Sequence, residues 1–122
     1  MKIFFIIGLG GAIGSIFRYL LQVFVSKHYA VSFPVGTFLV NIIGCFAIGL
    51  LYGLSNKYIW MTLEWRLFLI TGICGGFTTF SGFAFENISL FREGNYTYFI
   101  LYVTLSVIFG LLATVAGAAV AK

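Results

Sequence analysis

Three stretches of this chain carry no charged side chain: residues 28–56, 67–85 and 94–121, of 29, 19 and 28 residues. A fourth, 3–26, is interrupted only by Arg18. This spacing constrains the fold more than any other feature, because a helix rising about 1.5 Å per residue needs about 20 apolar residues to cross the hydrocarbon of a bilayer. Four crossings would use about 80 residues and leave only short loops. The expected fold is an all-α membrane protein, one transmembrane domain over residues 1–122 with spans at about 3–26, 33–54, 65–91 and 97–120. A soluble domain would have about a quarter of its residues charged; here the share is 8%.

Of the ten charged residues, Lys2, Arg18, Lys27, Lys57, Glu64, Arg66, Glu86, Arg92, Glu93 and Lys122, the seven basic ones are scattered singly, most at the ends of apolar stretches. The net charge of +4 therefore contains no basic run of the kind nucleic acid selects, and the cations read as membrane-edge anchors. Cys45 and Cys74 lie far apart inside apolar stretches beside a single His28, which indicates neither a zinc site nor a disulfide framework but two spare thiols. Lys2 and the apolar run after it mimic a signal peptide, yet Arg18 and the lack of a small-x-small cleavage site point to a retained first span. Asn87-Ile-Ser89 and Asn95-Tyr-Thr97 are taken as chance matches to the glycosylation pattern.

The first span contains GLGGAIG, in which Gly8, Gly10, Gly11 and Gly14 thin the helix, and Gly10 with Gly14 forms the spacing that lets membrane helices approach closely. A dinucleotide-binding reading fails because Ile13 stands where the third glycine should be. Pro34, the only proline, suits the first turn of the second helix, where its missing N–H would be unpaired in any case. Asn41 then falls about two turns in, and an amide at that depth must face protein or a water-filled path. Its simplest role is a helix–helix hydrogen bond.

The third stretch is the unusual one. Gly72, Gly75 and Gly76 are followed at once by Thr78, Thr79 and Ser81, a run of poor helix formers. That predicts a helix broken at mid-membrane, and freed backbone groups at that depth must be buried in protein or line a polar cavity or ion site. Phe80 and Phe83, three apart, share a face. They can be ordinary packing; alternatively their electropositive ring edges can solvate a small anion weakly enough to release it. In the fourth span Tyr102 and Ser106 share a face, as do Gly110 and Thr114, although hydroxyls in membrane helices often bond only to their own backbone.

Four spans place both termini on one side, with Lys2, Lys57, Arg66 and Lys122 there and Arg18, Lys27 and Arg92 opposite. Orientation follows the Lys/Arg imbalance, and four against three is almost none. Insertion both ways up permits an antiparallel pair with its two-fold axis in the membrane plane. A single chain of four helices offers too little protein to enclose a pore around a broken helix, so a symmetric dimer is expected.

Three groups of residues together resemble the CrcB/Fluc fluoride channels: Gly10-Gly11-Ala12 to Arg18-Tyr19; Pro34-x-Gly36-Thr37-x-x-Val40-Asn41-x-x-Gly44-x-Phe46-x-x-Gly49; and Gly72-x-x-Gly75-Gly76-Phe77-Thr78-Thr79-Phe80-Ser81-x-Phe83-x-x-Glu86. The resemblance implies a fluoride-selective channel of the bacterial inner membrane, an antiparallel dual-topology homodimer that exports cytoplasmic fluoride by passive electrodiffusion. It further implies a central, non-transported structural Na⁺ held by the backbone carbonyls of Gly75 and Thr78 from each subunit. By the same resemblance the anion pathway comprises Asn41, Phe80, Phe83, Ser81, Tyr102 and Ser106, while Arg18 and Glu86 flank or pair near the pore mouths. The chain departs from the pattern at Gly82, where Thr is common, and at Gly110, where a hydroxyl is common. Rival readings are a proton-coupled small multidrug exporter, a non-conducting membrane subunit, and one half of a heterodimeric fluoride channel. The exporter needs a carboxylate inside the first span and there is none. An enzyme is not expected, since no nucleophile–base pair is in view.

Overall fold

The computed structural model describes residues 1–29 and 31–122, and every regular element in it is helical. Helices α1 (Lys2–His28) and α2 (Val35–Lys57) are unbroken. The third apolar stretch is built from α3 (Leu63–Arg66), a π-helical segment Leu67–Cys74, α4 (Gly75–Phe77) and α5 (Phe80–Arg92), and α6 (Tyr96–Val120) completes the chain. Four segments are long and apolar enough to cross a membrane: Lys2–His28, Val35–Lys57, Leu63–Arg92 and Tyr96–Val120. Pro34 stands just outside α2 as its N-cap rather than in the first turn, and its carbonyl accepts the Phe38 N–H at 3.1 Å.

In lipid there is little hydrophobic force between apolar helices, so close packing of small residues has to hold them together. Glycine does this at two seams. Along α1, a Cβ on Gly10 would lie 2.6 Å from Phe68 O and 2.9 Å from Gly72 Cα, and one on Gly14 would overlap Ile73 O. Here α1 lies backbone to backbone on the π-helical segment. Along α2, a Cβ on Gly49 would overlap Thr114 O of α6, and one on Gly117 would overlap Phe46 O. The two main helix pairs are thus α1 with the third segment and α2 with α6.

The side-chain core is small. Among the described residues only Val40 and Tyr102 of the larger ones are fully enclosed, while Phe4, Phe5, Leu111, Val115 and Val120 are exposed, as lipid-facing surface requires. Between α5 and α6 the chain turns in three residues. Gly94, at φ 76°, supplies the left-handed position of a Schellman motif: Asn95 N–H reaches Leu90 O at 2.9 Å and Gly94 N–H reaches Phe91 O at 3.1 Å. The Asn95 side chain then caps α6 by accepting the Tyr98 N–H. At the opposite end Lys57 Nζ donates to Lys122 O, near the stacked rings of Tyr58 and Trp60, so cation and aromatics gather where a headgroup layer would lie.

Candidate functional site

The helical path through the third segment is interrupted at Thr78 and Thr79, both extended, with φ/ψ of −79°/156° and −146°/114°. The hydrogen bonds around them explain the interruption. Thr78 N–H and Thr78 Oγ1 both donate to Cys74 O at 3.0 Å, finishing the preceding turn. Thr79 N–H, which a continuous helix would direct to Gly75 O, instead donates to Asn41 Oδ1 at 2.8 Å. Asn41 Nδ2 returns the bond to Thr79 O at 3.1 Å. Thr79 Oγ1 accepts the Gly82 N–H at 3.0 Å and so caps α5, drawing that donor away from Thr78 O. The Gly75 and Thr78 carbonyls thereby lose their usual i+4 partners. Between them, Gly76 O accepts from Arg18 Nε at 3.1 Å.

Beside the interruption is a cavity of about 320 Å³ lined by residues of α2, the interruption, α5 and α6, among them Asn41, Thr78, Thr79, Phe80, Phe83 and Ser106. The Ser106 hydroxyl oxygen is buried and has no partner, an anomaly because a buried polar group normally finds one. Phe80 is 80% exposed on the outside of the chain. Its ring lies 5.8 Å from that of Phe83, which lies 4.9 Å from that of the enclosed Tyr102, so an aromatic row runs from surface to interior. Ser81, also exposed, is 3.5 Å from Thr79 Oγ1 through its hydroxyl.

Tyr102 does not line this cavity; its hydroxyl donates to Glu86 Oε1 at 3.1 Å. Glu86 lines a second cavity of about 320 Å³ together with Gln22 and Thr37, and Gln22 Nε2 donates to Thr37 Oγ1 at 3.1 Å. Arg18 and Glu86 do not pair: one bonds the interruption and the other bonds Tyr102. Arg18 also differs from an edge anchor, since it lies ten residues, about 15 Å of helix, before the end of α1 at His28.

The structure thus gathers Asn41, Thr78, Phe80, Phe83 and Ser106 around one cavity, and joins Tyr102 and Glu86 to a second. Sequence reasoning missed Gln22, Thr37, Thr79 and Cys45. The signal was available for two of them, because Thr37, Asn41 and Cys45 follow one another at i+4 along α2, just as Tyr102, Ser106 and Gly110 do along α6.

Comparison with known proteins identifies relatives along nearly the whole chain. The family model described as CrcB-like protein, Camphor Resistance (CrcB), matches residues 5–118. A protein of Flavobacterium psychrophilum named fluoride-specific ion channel FluC is 45% identical over 122 residues, covering 100% of this chain and 98% of that one. Proteins with the same name from Azobacteroides pseudotrichonymphae and Bacteroides fragilis are 43% and 46% identical, each over 96% of this chain and 94% of the relative. These relatives are named as channels, not enzymes. With the match running nearly end to end, the chain belongs to the CrcB family.

Proposed function

We propose that this protein is a fluoride-selective channel through which cytoplasmic fluoride leaves the cell by passive electrodiffusion. The observation that carries the reading is the cavity lined by Asn41, Thr79, the Phe80–Phe83 pair and Ser106, whose hydroxyl oxygen is buried without a partner. Fluoride holds its water tightly, so a path for it must supply replacement donors while avoiding a full positive charge that would trap it. Ser106 offers an O–H, and Asn41 keeps one N–H after its bond to Thr79 O. The phenylalanine edges add a weak positive field. Tyr102 carries the stripe from this cavity toward Glu86 and Thr37.

One chain leaves the site open on the side where Phe80 and Gly75 are exposed. The reading therefore includes a second, inverted copy in a multi-pass assembly of the bacterial inner membrane, giving an antiparallel homodimer with two pathways. The Gly75 and Thr78 carbonyls fit a structural Na⁺ at the centre, because both have lost their helical donors and carbonyl oxygen suits a hard cation. Two subunits would supply four such oxygens. The bound ion would fix the two interruptions against each other and is not itself transported.

The test is fluoride efflux from liposomes loaded with fluoride or chloride and containing the purified chain. Passive fluoride efflux without chloride efflux is expected, and its dependence on Na⁺ checks the metal. Proton-coupled exchange of organic cations without fluoride flux would instead identify an exporter. No flux until a homologous chain is added would make this protein half of a heterodimer, and no flux at all would make it a non-conducting subunit.

A further inference from the structure

The wall of the cavity beside the interruption contains a thiol. Cys45 lies one turn beyond Asn41 on α2 and lines the same space as Asn41, Phe80, Phe83 and Ser106. On α6 the residue one turn beyond Ser106 is Gly110. A Cβ placed on Gly110 would meet only one atom within 4 Å, Cys45 Sγ at 3.5 Å. Asn41 and Ser106 thus form one rung across the cavity, and on the next rung the sulfur of Cys45 occupies the space beside a position with no side chain. Cys45 is a free thiol and is only partly buried, whereas Cys74 is buried. The unpartnered Ser106 hydroxyl one turn away marks this part of the wall as built to meet something polar.

We propose that Cys45 lines the anion pathway, its S–H being the polar group that a passing anion meets after Asn41 and Ser106. The inference rests on the channel reading above. A thiol suits the position: it is small, uncharged and polarisable, a weak donor that assists a partly dehydrated anion without holding it. It supplies from α2 what Gly110 lacks on α6.

The experiment uses the full chain in liposomes, with fluoride efflux and intact mass measured before and after methyl methanethiosulfonate. In the labelling step the Cys45 sulfur attacks the sulfenyl sulfur of the reagent. A new S–S bond forms, methanesulfinate leaves with the electron pair, and the thiol proton passes to buffer. Modification of Cys45 and the substitution Cys45→Val should each lower efflux about tenfold, the effect of removing one donor from a desolvated ion. The double variant Cys45→Ala/Gly110→Ser moves the polar group to the other helix, into the space that the sulfur leaves. It should keep efflux within about threefold of wild type and, although it retains Cys74, should resist the reagent. The inference is overturned if conducting protein modified at Cys45 passes fluoride unchanged, if Cys45 is not modified in conducting protein, or if Cys45→Val matches wild type. Absence of fluoride efflux from the unmodified wild type, both alone and with a homologous chain added, would overturn the channel reading, and this inference with it, before any thiol chemistry is applied.

Discussion

Replacing Asn41 by alanine removes both bonds that hold Thr79 out of the helix, the 2.8 Å bond donated by its N–H and the 3.1 Å bond accepted by its C=O. Leaving two buried backbone groups unpaired would cost about 1–3 kcal/mol each in a soluble core, but hydrogen bonds between membrane helices average about 0.6 kcal/mol with a maximum near 1.7. Two bonds therefore predict a loss of about 1–3 kcal/mol. The lower end applies if Thr79 N–H swings back to Gly75 O and recovers one bond. That recovery has its own consequence, because it occupies a carbonyl assigned here to Na⁺ and straightens the segment that sets the Phe80 ring. Reversible unfolding in mixed micelles should show the stability loss, and liposome efflux should fall about tenfold or more. Asn41→Asp keeps the acceptor for Thr79 N–H and so should lose less stability, yet it places a carboxylate in the path and should conduct less than Asn41→Ala. If Asn41→Ala unfolds within about 0.5 kcal/mol of wild type and conducts normally, the clamp is not what maintains the interruption.

Phe80→Ile and Phe83→Ile should reduce fluoride efflux and leave the wild-type crosslinking pattern unchanged; unchanged efflux in both would remove the ring edges from the mechanism. Gly49→Ala drives a Cβ into Thr114 O and must part α2 from α6, so a loss of about 1–3 kcal/mol is expected in the same unfolding assay. Reporter fusions at the C-terminus should detect both membrane orientations with an excess of termini in the cytoplasm, since Arg18 is withdrawn to Gly76 O and the loop cations become four against two. A single orientation would exclude self-pairing of inverted copies.

Much of the architecture was legible because the constraint behind it is one-dimensional: uncharged runs between cations such as Lys27, Lys57 and Arg92 have to match a bilayer, and the four long apolar segments lie where those runs are. The poor helix formers from Gly72 to Ser81 likewise coincide with the place where helical bonding lapses at Thr78 and Thr79. What holds that lapse open was not legible, since Asn41 and Arg18 reach it across 38 and 58 residues of sequence. Arg18 groups with the loop charges in sequence although its helix continues ten residues further, because nothing local distinguishes a cation at an edge from one capping a distant carbonyl. Cys45 was set aside as a spare thiol for a related reason. Its relevance comes from its sulfur lying beside Gly110, and a missing side chain on another helix has no signature in the cysteine's own neighbourhood.

The bond from Arg18 to Gly76 also bears on biogenesis. A guanidinium near the middle of a lone helix costs about 2.5–3.5 kcal/mol on insertion, and the carbonyl that receives it is synthesised 58 residues later. At ribosomal speeds of about 5–20 residues per second, the first helix waits roughly 3–12 s for its acceptor. During that interval it is held best beside the translocon, released to lipid only when the glycine-rich segment arrives to dock along it. Assembly of this small protein is thereby tied to the order in which its helices emerge.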